Sequence, residues 1–390
     1  QGDICIGRNN SGRIKTNTAV TVVDSEGHRR NGLLQKLYGF MGLERVEVDD
    51  AQAADIVCFT GLDPLNISDT LCDPNAVEAL APLSVDEPTV SMTFQVNNSP
   101  FAGKDGKFVT SRQIRERLEQ ELVHNVALRV EQGSDPDKFR VSGRGELHLS
   151  VLIETMRREG FELGVSRPEV IIREIDGEPQ EPFEQVTVDV EEQHQGAVME
   201  RLGTRGADLK NMEPDGHGRV RLDYIMPARG LIGFRTDFLT ATQGSGLIYS
   251  VFDHYGPFKR GEYAARNNGV LIANAPGKAL TNALFNLQDR GRLFIGHGED
   301  VYEGMIIGLH SRDNDLVVNA LKGKQLTNVR ASGTDEAQVL TPPQVHTLEQ
   351  ALEFIDDDEL VEVTPNHIRL RTKLLLEHER KRASRNKDQA

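Results

Sequence analysis

The sequence has no tryptophan, 5% aromatic residues, three cysteines in 390 positions and fewer cations than anions. Each shortage excludes something. Cys5, Cys58 and Cys72 form no CxxC pair and no even set, which leaves no disulfide framework and suits reduced thiols in a cytoplasmic protein. No apolar run approaches the ~20 residues that cross a bilayer, so no membrane partner is expected. The start, QGDICIGRNN, lacks the basic, apolar and small-residue layout of a secretory signal. It also lacks methionine and reads as the middle of β-structure, so a cut from a longer chain is expected. With 45 Lys and Arg against 60 Asp and Glu, the formal charge of −15 excludes a general polyanion binder. Screening confines each charged patch to roughly 8–10 Å, so one defined basic surface remains compatible with that sum.

Catalytic signatures are missing as well. GRNNSGRI at 7–14 has the glycine spacing of a phosphate loop, but Arg13 and Ile14 stand where Lys and Ser/Thr must contact phosphate and Mg²⁺. It falls between strand-like segments, with no helix start to hold a phosphate. The eleven histidines form no HExxH and no HxE…CxxC. His148 beside Glu146 reads as a structural polar residue at a helix start. The carboxylate pairs Glu191-Glu192 and Asp356–Glu359 read as solvated faces. No catalytic residue, metal site or cofactor site is expected here.

The segments that are present predict an α+β multidomain chain. Residues 1–84 carry short strands (ICIGR, GRIKTN, AVTVVD, VEVDD, DIVCFTGL) with Gly and Asn turns, which predicts a small β-barrel. Residues 85–172 run β-α-β-β-α-β, the ferredoxin-like split βαβ order. Thr110 and Gln113 predict a capping box ahead of Ile114, Leu118 and Leu122. Leu149, Leu152, Ile153 and Met156 form one stripe, with Gly160 as the residue that ends it. Residues 181–262 repeat the order, with a hairpin on Asp-Gly-His-Gly, and Arg144-Gly145 and Arg229-Gly230 open the second helix of their units. Residues 263–390 predict a mixed, mainly-β block. In it a helix spans PGKALTNALFNLQDRG, Thr347 and Gln350 form a second capping box, and a basic tail is too apolar-poor to pack alone.

Two basic constellations stand out. In 201–235, Arg201 and Arg205 lie four apart on a helix, and Lys210, His217, Arg219, Arg221, Arg229 and Arg235 follow. Arg219 and Arg221 alternate with Val220 and Leu222, so the cations share the outer sheet face. Glycine stands beside cations in TRG, GHGR and ARG, where it would let backbone N–H groups approach a phosphate closely. Interspersed acids leave a salt-bridged surface as the alternative. The second constellation is KGKQLTNVRASGTDE at 322–336. Lys322, Lys324 and Arg330 have no acid beside them until Asp335. Lacking aromatics, the loop suits phosphate and 2′-OH contacts rather than base reading, unless it is an ordinary solvated loop.

GRGELHLSVLIETMRREGFELGVSRPEV at 143–170 resembles the third domain of elongation factor G, and PARGLIGFRTDFLTATQGSG at 227–246 is similar to its fifth. Residues 1–84 look like the second domain of translational GTPases, entered late. The block with FIGHGEDVYEGMIIGLHS and LEQALEFIDDDELVEVTP is similar to the C-terminal domain of the BipA, or TypA, family. That resemblance covers essentially the whole sequence, without a GTPase domain and without the tip domain of elongation factor G. It implies a bacterial ribosome-binding GTPase linked to stress and cold adaptation, virulence and assembly of the 50S subunit. The expected partners are the 70S ribosome, the 50S subunit, 23S rRNA and A-site tRNA, with this portion monomeric. GTP and Mg²⁺, with ppGpp as a further candidate, would belong to the absent domain. The long loop would meet the acceptor end of the tRNA. Arg167 and Lys210 correspond to ribosome-contacting cations of the family. A third such position falls at His217 in place of Lys, and a neutral imidazole weakens it near pH 7. Two other readings stay open: a nucleotide-independent assembly factor or RNA chaperone, and a protein–protein module using the acidic 353–362 surface.

Overall fold

The computed structural model describes residues 4–42, 44–62, 65–82, 87–133, 135–259, 266, 268–323 and 339–387. The chain divides into two compact units, Gln1–Val85 with Gln120–Val126, and Asp86–Glu119 with Ala127–Ala390.

The first unit holds three separate ladders. Four strands pair in the order Cys5–Arg8, Ile56–Thr60, Lys36–Met41, Glu44–Glu47; three pair as Arg29–Leu34, Thr18–Val23, Thr70–Cys72; and Arg13–Lys15 pairs with Asp50–Gln52. They enclose one core that includes Val20, Val22, Leu34, Leu37, Val57 and Phe59. The expected barrel is corrected: no closed barrel forms among the described residues. The strands are three to six residues long. Turns with left-handed backbone at Gly12 (φ 72°), Asn17 (φ 53°) and Ala54 (φ 80°) divert the chain before a ladder can continue round.

The second unit contains two larger sheets; among the described residues the α-helices are α1 (Ser111–His124, whose last turn from Gln120 counts with the first unit), α2 (Glu146–Glu159), α3 (Glu192–Thr204), α4 (Phe234–Ala241), α5 (Thr281–Leu287), α6 (Leu348–Phe354) and α7 (Glu377–Lys387). In the first sheet the order is Arg129–Gln132, Lys138–Gly143, Val90–Val96, Leu163–Val165, then Glu359–Val363, Ile368–Thr372, Met305–His310, Val270–Ala273, Leu316–Val318. Its first four strands and α1 and α2 follow the β-α-β-β-α-β order. The pairing Leu163↔Val363, Gly164↔Glu362, Val165↔Val361 continues the sheet into the C-terminal block. One core spans both parts, with Ile114 and Leu118 of α1, Leu149 and Ile153 of α2, and Leu348 and Leu352 of α6. At the seam the buried Glu362 accepts hydrogen bonds from Asn97 Nδ2 (3.2 Å), Ser99 Oγ (2.9 Å), Arg369 Nη1 (3.3 Å) and the Tyr302 hydroxyl.

Local signals explain the helix ends. Gln113 N–H donates to Thr110 Oγ1 at 3.4 Å, and the Gln113 side chain accepts from Thr110 N–H at 3.1 Å. Thr347 and Gln350 close the same reciprocal box on α6. Gly160 ends α2 at φ 102°, a backbone that glycine adopts at no steric cost. Two expectations differ. The helix expected over PGKALTNALFNLQDRG is α5 alone, because the backbone is already extended at Leu280. The tail, expected to be too apolar-poor to pack alone, is helical in α7, where Lys381 pairs with Glu377 at 2.5 Å and Arg380 Nη1 donates to Leu374 O at 3.0 Å.

The second sheet carries the candidate site. Glu178–Glu191 is central, flanked by Leu247–Pro257 on one side and Arg219–Pro227 on the other, with Asp208–Pro214 beyond. Helices α3 and α4 cover one face, where Val198, Leu202, Phe234 and Phe238 pack on Val186, Val188 and Val190. Tyr249, Val251 and Arg221 are exposed.

Candidate nucleic-acid interface

The hairpin Asp208–Pro214/Arg219–Pro227 projects cations from a sheet edge. Every residue of Asp208–Pro214 is exposed. Register slips between Leu209 and Asn211, so Lys210 is the extra residue of a β-bulge. A bulge re-aims its side chain away from the regular alternation, and Lys210 has no carboxylate partner among the described residues. At the turn, the Asp215 carboxylate accepts the N–H groups of His217 (2.7 Å) and Arg219 (2.9 Å). Those bonds hold Asp215 below the ordinary carboxylate range, the Arg219 N–H contributing most. Gly216 (φ 72°) and Gly218 (φ 93°) supply the left-handed turn, and His217 sits exposed at the tip.

Other cations of the sequence reading turn inward. Arg205 Nη1 donates to the carbonyls of Gly230 (3.1 Å) and Ile232 (3.0 Å), and its Nη2 to Asp237 at 2.9 Å. Arg201 Nη1 donates to Asp237 O at 2.7 Å. Arg219 Nε donates to Asp189 at 2.6 Å. Arg229 Nε donates to Glu181 at 2.5 Å. Glu181 also accepts the Lys259 N–H at 2.8 Å, and the Arg229 guanidinium lies 4.5 Å from the centre of the Phe258 ring. The arginines of TRG, GHGR and ARG therefore fasten elements of the second sheet and its helices to one another: Arg205 ties the end of α3 to the start of α4, Arg219 ties its strand to Glu178–Glu191, and Arg229 ties the turn after Pro227 to the same strand. Arg167 is 16% exposed and faces Asp356 (3.6 Å) and Asp357 (3.8 Å). Lys322 is exposed, its carbonyl accepting Asn282 Nδ2 at 3.4 Å. Lys324 and Arg330 lie outside the described residues.

The structure thus brings Lys210 and His217 onto one hairpin with Arg221, and holds Arg201, Arg205 and Arg219 against internal acceptors. The sequence reading missed Glu181 and Asp189 as partners, because they stand 48 and 30 residues from the arginines they bind. GRNNSGRI does not fit GTP and Mg²⁺ either. It joins Cys5–Arg8 to Arg13–Lys15, and Arg13 Nε is engaged by Asp50 at 2.5 Å.

Residues 178–264 match the family described as elongation factor G C-terminus, and residues 268–377 the TypA/BipA C-terminal domain. The chain is 68% identical over 384 residues to the large ribosomal subunit assembly factor BipA of Escherichia coli K12, covering 98% of this chain and 63% of that protein. The same-named protein of Haemophilus influenzae is 66% identical (98% of this chain, 62% of that protein). That of Buchnera aphidicola is 58% identical (99% and 64%). The chain therefore spans a little under two thirds of the length of these relatives. No described helix is long and apolar enough to cross a membrane. A multidomain α and β architecture, two family matches in this order, and 68% identity over 98% of the sequence place the chain in the TypA/BipA family.

Proposed function

We propose that this chain is the ribosome-engaging part of a large-subunit assembly factor and touches folded RNA through the Asp208–Pro214/Arg219–Pro227 hairpin. The single observation that carries this is Lys210 on its bulge, exposed and without a carboxylate partner among the described residues. His217 extends the same surface, and Lys322 supplies a second point of contact at the start of the 322–336 loop. The relatives' name supports the large subunit as the partner. The finer reading is contact with 23S rRNA and A-site tRNA on 50S and 70S particles in the cytoplasm, in stress and cold adaptation and virulence. Within it, Arg167, Arg201, Arg205 and Arg219 shape the surface from behind, and Lys324 and Arg330 add cations to that of Lys322. In this reading the whole protein, as a translational GTPase, binds and hydrolyses GTP with Mg²⁺ through residues other than these.

The test is co-sedimentation of the chain with 50S and 70S particles over a salt series. Phosphate contact releases counterions, so log affinity should fall with log salt by about one unit of slope per phosphate contacted. Lys210→Ala should lower both affinity and slope. A flat salt response, or full binding by the variant, rejects the interface.

A further inference from the structure

A cleft of about 890 Å³ lies alongside the strand Leu247–Pro257, walled by the start of α2, by α4 and by α6. Leu247–Pro257 pairs with Glu178–Glu191 and with no other strand among the described residues, so its second edge is open. An open edge offers a row of backbone donors and acceptors to an added chain. Large apolar side chains line this strand on its exposed side: Leu247 is 63%, Tyr249 52% and Val251 60% exposed. A contiguous apolar strip beside a cleft marks an interaction surface.

Inside the cleft the lining is acidic. Glu87, Glu146, Glu184, Glu349 and Glu353 line it, with His148, against Arg144 and Arg235; Glu87 is already paired with Arg173 and Arg129. Glu146 accepts the Gly233 N–H, while one of its carboxyl oxygens is buried and has no partner among the described residues. Glu353 accepts Thr236 Oγ1–H at 2.5 Å. The Ser250 hydroxyl donates to Glu184. Burial pushes Glu146 up to about 7, with the Glu353 and Glu349 charges adding to it and Arg167 opposing. Burial likewise raises Glu184 and Glu353, the latter facing Asp237, Arg205 and Arg235. Two of the nearby cations are already engaged, Arg167 by Asp356 and Asp357, and Arg205 by Asp237. Even with Arg144 and Arg235 present the lining carries more carboxyls than guanidiniums, and a guanidinium or ammonium on an aliphatic stem is the group that would balance it.

We propose that the open edge of Leu247–Pro257 and the adjoining cleft dock an extended basic protein segment, its backbone adding to the edge and an arginine or lysine side chain entering among Glu146, Glu184 and Glu353. Backbone pairing gives such a mode its affinity, and alternate side-chain pockets give it specificity. Here one face of the added strand meets the carboxyls, and the other meets Tyr249 and Val251. RNA is disfavoured by the same carboxyls. The site is separate from the Lys210 hairpin and does not rest on the ribosomal reading. An entering cation takes over from protons on the carboxyls, so docking releases protons and tightens as pH rises.

The test is calorimetric titration of the 390-residue chain with a capped peptide of about nine residues alternating arginine and valine. The control peptide carries citrulline, the neutral isostere, at each arginine. Both are titrated at about pH 6 and about pH 8 and in buffers of different ionisation enthalpy. The expected result is binding that is about tenfold tighter at the higher pH, with proton release, and about tenfold weaker with citrulline. The double variant Glu146→Gln/Glu353→Gln should weaken the arginine peptide by a similar factor while its circular dichroism is unchanged. Four results overturn the proposal: no binding at about 1 mM peptide, equal binding of the citrulline peptide, no pH dependence, or full displacement by spermidine at matched concentration. The citrulline comparison uses the unmodified chain, so it decides the matter even if the double variant unfolds.

Discussion

Replacing Arg229 with alanine separates two readings of the ARG motif. Read from glycine spacing, Arg229 would be a phosphate ligand. In the fold its Nε and Nη2 hold both oxygens of Glu181, at 2.5 and 3.3 Å. Glu181 is 0% and the Arg229 side chain 17% exposed. Arg229→Ala leaves that carboxylate buried, with the Lys259 N–H as its remaining donor among the described residues. Removing one partner of a buried ion pair costs about 3–5 kcal/mol, because the stranded charge keeps its desolvation penalty. Stacking on Phe258 is lost as well. Urea unfolding followed by circular dichroism should show a loss of about 3 kcal/mol in the transition of the second unit. Glu181→Gln in the same background should recover part of it, since the double variant buries no unpaired charge. A variant within about 0.5 kcal/mol of the parent that had lost ribosome affinity would refute the reasoning and return Arg229 to the RNA surface.

Lys322→Ala, at an exposed position, should leave stability within about 0.5 kcal/mol and reduce ribosome affinity and the salt slope, read by sedimentation at several ionic strengths. Glu146 titrates at about 7 in the fold against an ordinary 4.5, so its contribution to stability is complete below about pH 4.5 and is lost as pH rises through about 7. Glu146→Gln should therefore flatten melting temperature against pH across that window and raise it at pH 8; an unchanged profile contradicts the buried carboxyl. Thr347→Ala removes the reciprocal cap of α6 and should cost about 1 kcal/mol, read by denaturant midpoint.

Local physics was legible in the sequence, and non-local physics was not. Thr110 with Gln113, Thr347 with Gln350, and Gly160 announce helix ends because cap and helix are neighbours in the chain. The stripe Leu149, Leu152, Ile153, Met156 announces a buried face for the same reason, and both β-α-β-β-α-β orders followed from alternating periods. The barrel expectation failed on closure, which depends on which short strands find each other rather than on how many there are. Arg219 and Arg229 read as outward cations because Asp189 and Glu181 approach only across strands. Lys210 was singled out by family likeness. Its bulge depends on a one-residue slip against Arg219–Pro227 that no spacing in DLKNMEP reveals. The resemblance named the family from motifs in 143–170, 227–246 and the C-terminal block, and the comparisons agree with it.

The ladder between Leu163–Val165 and Glu359–Val363 has a practical consequence. Any cut that follows linear order and produces the C-terminal block by itself severs a β-seam. Glu359–Val363 would then stand bare along one side, with Glu362 stripped of its Asn97 and Ser99 donors. Such a piece should self-associate through the raw margin, and keeping Val90–Val165 attached should cure it.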